Sequence, residues 1–111
     1  MQYNNKKVHN YEMSNIYIIA SSKHDNGPVK IGISDNPEKR LKQLQTAFPE
    51  KLEIKYIEKL NTKIEARELE KLLHRDIIHH RSHGEWFSIP VEEAIRYVQF
   101  TLIQYGTSDL N

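Results

Sequence analysis

Three runs of apolar and β-branched residues predict β-strands in the first half of the chain. They span Ile16 to Ala20, Val29 to Ile33 and Leu52 to Leu60. The loop from Ser21 to Pro28 contains Asn-Gly, a turn signal, so the first two runs are predicted to form an antiparallel hairpin. Four apolar residues of the third run are predicted to share one face of the sheet, namely Leu52, Ile54, Tyr56 and Leu60.

Apolar residues at helical spacing predict three helices. The first begins at Pro37, with Asn36 as its N-cap. The second opens with the capping-box spacing of Thr62 to Glu65 and runs to about His80. The third begins at Pro90. These elements predict an α+β fold, a three-stranded antiparallel sheet flanked by helices.

The length of 111 residues predicts one domain with one site. We expect a flexible N-terminal arm over residues 1–14, a single folded domain over 15–105 and a C-terminal tail over 106–111. No segment has the apolar length of a signal peptide or a membrane span, so we expect a cytoplasmic protein with no membrane partner. The chain has no cysteine, which excludes disulfides, thiol nucleophiles and cysteine-ligated metals.

The second predicted strand has a polar face that suggests a ligand. Lys30, Gly32 and Ser34 alternate with apolar residues, and a glycine within a strand often marks the close approach of another backbone or a ligand. Arg40, at the edge of the buried stripe of the first helix, can lean over this face. Tyr17 of the first strand could share the face, although a core tyrosine with its hydroxyl bonded to backbone is the commoner arrangement.

The second predicted helix places an acid, an imidazole and several cations side by side. Glu70 lies at the border of the buried arc, and His74 follows one turn later. The net charge is only +1, so any affinity for nucleic acid must come from local clusters of cations. Taken alone, these charged residues of the second predicted helix are more simply interpreted as a solvated helix face with ion pairs. The cations that could form a phosphate track are Lys63, Arg67, Lys71 and Arg75 on this helix and Lys39 and Lys42 on the first.

A single carboxylate beside a phosphate track is typical of Mg²⁺ bound through one side chain, waters and a phosphate, with Mn²⁺ as an alternative. This combination favours phosphodiester chemistry, in which Glu70 holds the metal, Tyr17 acts as a base, and Arg40 offsets developing charge. Zinc is a weaker interpretation, based on His79 and His83, because a tetrahedral set is hard to complete without cysteine.

Short motifs along the chain together resemble the GIY-YIG nuclease family. Ile16-Tyr17, Lys30-Ile31-Gly32, Arg40 and Glu70 occur in the family's order, and Gly84-Glu85-Trp86-Phe87 is similar to the end motif of its compact phage and bacterial subgroup. The resemblance implies a three-stranded sheet with helices and metal-dependent hydrolysis of DNA. It implies that Tyr17 takes the proton of the attacking water, that Arg40 is the helix arginine and that Glu70 binds the metal.

This sequence departs from the family's pattern at three places. Asn15 replaces the first glycine, and Lys30 stands where many members have a second tyrosine. The asparagine that often follows the glutamate is not evident, and His74 or Glu85 is expected to fill part of its role. Trp86 and Phe87 are expected to pack in the core or as a lid, with base stacking as the less favoured alternative.

Three hypotheses about function follow from the sequence. The leading one is a small metal-dependent DNA endonuclease that uses Glu70 for the metal, Tyr17 as general base, and Arg40 with Lys30 as phosphate stabilisers. RNA is an alternative substrate, and the protein is expected to act as a monomer or as a transient dimer on DNA. The second is a nucleic-acid-binding module of the same fold with weak or no cleavage. The third is a protein-interaction module that uses the charged helix strip. The subgroup implies a bacterial cell, or the host cell of a phage, as the setting.

Overall fold

The computed structural model describes residues 14–60, 66–83 and 86–104. The strands are β1 (Asn15–Ser21), β2 (Val29–Ser34), β3 (Leu52–Lys59), β4 (Arg81–His83) and β5 (Trp86–Phe87). The helices are α1 (Pro37–Gln45), α2 (Ala66–Asp76) and α3 (Val91–Gln104), and a 3₁₀ turn covers Ile78–His80. None of the described helices has the length and apolar character needed to cross a membrane. The predicted capping box, most of the predicted N-terminal arm and the predicted tail lie outside the described residues.

The described strands form one five-stranded sheet in the order β3-β1-β2-β5-β4, and every pairing is antiparallel. The α+β class is therefore confirmed, whereas the prediction of three strands is wrong. The two additional strands are only three and two residues long, so they contain too few residues for a periodic pattern. They extend the sheet because β5 pairs with the beginning of β2.

A bulge in the pairing of β1 with β3 changes which face the residues of β3 occupy. Ile18 pairs with Tyr56, but the next residue, Ile19, pairs with Ile54, so Lys55 is the extra residue. Ile54 therefore packs on one face of the sheet and Tyr56 on the other. The prediction that these two residues share a face is wrong, because a single inserted residue reverses the alternation of a strand.

The two faces of the sheet carry different layers. On one face α2 and α3 cover β1 and β2, and on the other the partly buried Leu41 and Leu44 of α1 pack against a smaller cluster. The predicted inward orientation of these two leucines is confirmed. The larger core includes Ile16, Ile18, Ile31, Leu69, Leu73, Ile77, Phe87, Val98 and Leu102, and the smaller one Tyr17, Ile19 and Leu52.

The helix ends follow local hydrogen bonding. The side chain of Asn36 accepts a hydrogen bond from the N–H of Lys39 at 3.1 Å, which confirms the predicted N-cap of α1. Helix α2 ends at Asp76, not near His80 as predicted. The chain tightens into the 3₁₀ turn after this residue. It then enters β4, which pairs with β5 and therefore leaves the direction of the helix.

Candidate functional site

Tyr17 lies across the sheet from Gly32, and its ring covers the space that a side chain at Gly32 would occupy. The two residues are directly paired between β1 and β2. A Cβ built on Gly32 would lie 2.7 Å from Cζ of Tyr17 and closer still to the hydroxyl oxygen. Tyr17 is only 2% exposed. The glycine is thus required for a close approach at this position. The approaching group is the phenol of the neighbouring strand, whereas the sequence pattern suggested another backbone or a ligand.

Two side chains of α2 contact the outer edge of β2. Of the residues of β2, strand β5 pairs with only the first two, Val29 and Lys30. Beyond them, the N–H of Ile33 donates to Oε2 of Glu70 at 3.2 Å. Nε2 of His74 lies 2.8 Å from the carbonyl oxygen of Ile31. A carbonyl can only accept, so this nitrogen carries the hydrogen. The contacts hold the carboxylate beside the strand at the border of the buried arc, where the sequence predicted it.

These contacts bring the Tyr17 hydroxyl and the Glu70 carboxylate to adjacent residues of β2. The hydroxyl is next to Gly32, and the carboxylate accepts from Ile33, the following residue. Standard covalent dimensions across this short segment place the two oxygens no more than about 9 Å apart. A phenol and a carboxylate at this separation can both reach one small ligand group, such as a phosphate with a coordinated cation.

Lys30 lies on the same face of β2 as Gly32 and pairs with Ile19 on one side and Trp86 on the other. It is only 6% exposed. The sequence predicted an open polar face, but α1 and the cluster around Tyr17 cover it. Lys30 therefore presents its cation from within the layer between α1 and the sheet.

The other predicted cations that the structure describes lie on the exterior. The guanidinium of Arg40 donates to the side-chain oxygen of Gln43 at 3.2 Å on its own helix, and Arg40 is half-buried. Arg75 lies 3.2 Å from a carboxylate oxygen of Asp76. Lys63 lies outside the described residues. The exposed members of the predicted phosphate track are Lys39, Lys42, Arg67, Lys71 and Arg75.

His74 lies apart from His79 and His80. His74 packs against Phe87 with ring centroids 5.2 Å apart, whereas His79 and His80 stack on each other at 4.0 Å. Nε2 of His80 lies 3.3 Å from the hydroxyl of Tyr97. Within residues 14–60, 66–83 and 86–104, no three His, Asp or Glu side chains form a group that could hold a metal ion. Glu70 alone fits a magnesium ion that takes its remaining ligands from water and phosphate.

An aromatic pair beside Lys30 is a feature that the sequence pattern did not reveal as a pair. Phe48, in the segment between α1 and β3, stacks on Trp86 of β5 with ring centroids 5.0 Å apart and an interplanar angle of 23°. The two residues are far apart in sequence, and only the pairing of β5 with β2 brings them together. Phe87, the neighbour of Trp86, is 1% exposed and belongs to the larger core, as predicted.

One protein-family model matches this chain, the T5orf172 domain, over residues 14–102. It describes a different family from GIY-YIG, and no GIY-YIG model matches, so the family resemblance suggested by the short motifs is wrong. The motifs are only one to four residues long, and such short matches arise without common family membership. No curated protein and no solved structure matches the chain.

Proposed function

The chain belongs to the T5orf172 domain family, which is linked to nuclease-like or DNA-binding roles, and we propose that it is a small DNA endonuclease that hydrolyses phosphodiester bonds with a divalent cation. The observation that carries this proposal is the placement of the Tyr17 hydroxyl next to Gly32 and of the Glu70 carboxylate at the N–H of Ile33, the following residue. The hydroxyl can take part in proton transfer and the carboxylate can bind a divalent cation, and metal-dependent hydrolysis of a phosphodiester uses both.

Glu70 would hold Mg²⁺, with Mn²⁺ as an alternative, through its carboxylate. The hydrogen bond from Ile33 orients the carboxylate before substrate arrives. A divalent cation bound there would supply Lewis-acid stabilisation of the negative charge on the phosphate.

The other residues of the proposed site handle the proton and the charge. Tyr17 would act as a phenolate, favoured by the neighbouring cations, and take the proton from the attacking water. Its ring is held in place by its packing over Gly32. Lys30 and Arg40 offset the charge that develops on the phosphate, Lys30 from within the layer and Arg40 from the surface of α1. His74 supports Glu70 by fixing α2 against Ile31.

The exposed cations on α1 and α2 are proposed to bind the DNA backbone. Lys39 and Lys42 lie on the exposed surface of α1, and Arg67 and Lys71 lie one turn apart on that of α2. Each phosphate contact adds to the salt dependence of binding. We therefore expect the double variant Arg67→Gln/Lys71→Gln to bind duplex DNA more weakly and to lower the slope of log affinity against log salt by about 2.

A second candidate function is DNA binding without cleavage. It is favoured by one observation, that no three His, Asp or Glu side chains among the described residues form a group that could hold a metal ion. A protein-interaction module is the remaining alternative, and it predicts no affinity for DNA or RNA even at low salt.

The experiment that tests the proposal is cleavage of supercoiled plasmid in Mg²⁺, Mn²⁺ or EDTA by the wild type, Glu70→Gln and Glu68→Gln. Gln at position 70 keeps an oxygen for the Ile33 N–H but removes the charge that binds the metal. Glu68 is an exposed carboxylate on the same helix and serves as the matched control.

Metal-dependent nicking by the wild type and Glu68→Gln, but not by Glu70→Gln, is the expected result. Nicking by all three proteins, or in EDTA, would contradict the role of Glu70. Plasmid retardation without any product would favour the second candidate, and the absence of both would favour the third.

A further inference from the structure

The stacked rings of Phe48 and Trp86 form a partly exposed aromatic surface close to the Tyr17–Glu70 site. Trp86 pairs with Lys30, which is two residues before Gly32 on the same face of β2. Diagonal neighbours of this kind on adjacent antiparallel strands lie about 7–8 Å apart. The aromatic surface is thus near enough to contact the nucleotide next to a phosphate bound at the site.

Packing explains only part of this arrangement. Phe87 fills the larger core on the opposite face of the sheet, whereas Phe48 and Trp86 are both partly buried on the side of the smaller cluster. Aromatic side chains left partly open to solvent beside cations are the usual means by which proteins stack the bases of single-stranded nucleic acid. Bases within an intact duplex are already stacked on one another and cannot insert against such a pair.

One lysine is next to the aromatic pair in the sheet register, and another is close to it in sequence. Lys30, which is 6% exposed, occupies the register position beside Trp86, and the exposed Lys51 follows Phe48 by three residues along the chain. The exposed Glu50 lies between Phe48 and Lys51 in sequence, and its carboxylate is 3.7 Å from Nε2 of His24. Positive charge next to stacked rings matches a strand whose phosphates and bases alternate.

We propose that the Phe48–Trp86 pair stacks an unpaired base of single-stranded DNA, so that the site acts on single-stranded or locally opened DNA in preference to intact duplex. This inference rests on the proposed function, because it names the form of DNA that the same site takes. The stacked base lies beside the phosphate that Tyr17 and Glu70 face, and it fixes the position of the strand relative to these two groups.

The single tryptophan of the chain allows a direct test, since all indole fluorescence comes from Trp86. The wild type is titrated with single-stranded oligo(dT) and with a blunt duplex of equal length, at low salt and in EDTA. Indole emission reports contact with Trp86, and the anisotropy of end-labelled DNA reports binding independently. We expect oligo(dT) to bind more tightly than duplex and to quench the emission in step with the anisotropy.

Three variants complete the experiment. Phe48→Leu is expected to weaken oligo(dT) binding by about tenfold or more, because a stacked base contributes strongly to affinity. Phe48→Tyr keeps an aromatic face and is expected to bind as the wild type does. Phe100→Leu alters an aromatic side chain that is 64% exposed on α3 and serves as the control.

The possible outcomes separate this inference from the proposed function. Binding of oligo(dT) with unchanged indole emission and with equal affinity for Phe48→Leu would overturn the inference. Binding of duplex alone would also overturn it, while leaving the proposed function in place. Absence of binding to either DNA would contradict the proposed function, and the inference would fail with it.

Discussion

The ring of Tyr17 occupies the space above Gly32 in which any other residue would place its Cβ. The contact joins β1, which lies between β3 and β2 in the sheet, to β2. Glu70 of α2 accepts a hydrogen bond from the outer edge of β2. Because Tyr17 is 2% exposed, its ring has little room to move away. The position of its hydroxyl is thus tied to the absence of a side chain at residue 32.

Replacement of Gly32 by alanine is expected to lower the free energy of unfolding by about 1–3 kcal/mol, the usual cost of an overpacked core. The added methyl group would press on Cζ and the hydroxyl of Tyr17. Chemical denaturation of Gly32→Ala, Tyr17→Leu and the double variant measures the coupling. The loss of unfolding free energy caused by Gly32→Ala should be smaller in the Tyr17→Leu background than in the wild type. An equal loss in both backgrounds would show that the Tyr17 ring is not its cause.

Glu70→Ala is expected to be less stable than Glu70→Gln by about 1 kcal/mol. Alanine leaves the N–H of Ile33 without its acceptor in a part-buried position, whereas glutamine retains an acceptor. Urea denaturation of both variants and the wild type measures the difference, and equal stability of the two variants would contradict a structural role for the hydrogen bond.

His74→Leu is expected to lose stability by about 1–3 kcal/mol, since the carbonyl of Ile31 would lose its side-chain donor. His74→Gln provides an amide donor and should recover part of the loss. Exchange of the backbone amide hydrogen of Ile33, followed by NMR, offers a local readout. Faster exchange in His74→Leu than in His74→Gln is expected if His74 fixes the position of α2, and equal rates would argue against this role.

Stability is expected to fall at alkaline pH because of Tyr56. Burial raises the pKa of Tyr56 to about 12, and the hydrogen bond to the carboxylate of Glu58 adds to this shift. In the unfolded chain the phenol has an ordinary pKa near 10. Between about pH 10 and pH 12 the folded state therefore binds more protons than the unfolded state, and stability decreases as the pH rises.

Tyr56→Phe is expected to reduce this loss of stability between about pH 10 and pH 12. Urea denaturation at several pH values, with the wild type in parallel, measures the slope. Tyr97→Phe is a suitable control for general alkaline effects, because it removes a phenol hydroxyl from α3. If Tyr56→Phe and the wild type lose stability equally, then Tyr56 is not the group responsible.

The sequence predicted the β1–β2 hairpin and α1 well because each signal there is local. Alternation within five or six residues, an Asn-Gly loop and an Asn-Pro helix start all depend on near neighbours. The bulge in β3 and the short strands β4 and β5 were not predicted, since each depends on pairing with a distant segment. The alternation of apolar and polar residues within β3 does not show that β1 has one residue fewer along the paired segment.

The candidate site shows the same limit. The position of Glu70 at the border of the buried arc followed from helical periodicity, and its partner is a backbone N–H that no side-chain pattern can reveal. Lys30 was predicted to face a ligand, yet α1 covers its face of the sheet, because the sequence does not show on which side a helix folds back. Tyr17, Gly32 and Glu70, which belong to the motifs, lie close together, but the motif resemblance did not identify the family.

The contacts of α2 with Ile31 and Ile33 also bear on how copies of this protein behave towards one another. Beyond the short β5, the outer edge of β2 would present a donor and an acceptor to any extended peptide, and open edges of this kind nucleate aggregation between chains. Glu70 and His74 occupy these two backbone groups. The helix thereby protects the sheet from adding a foreign strand, and variants at either position should be examined for fibril formation as well as for activity.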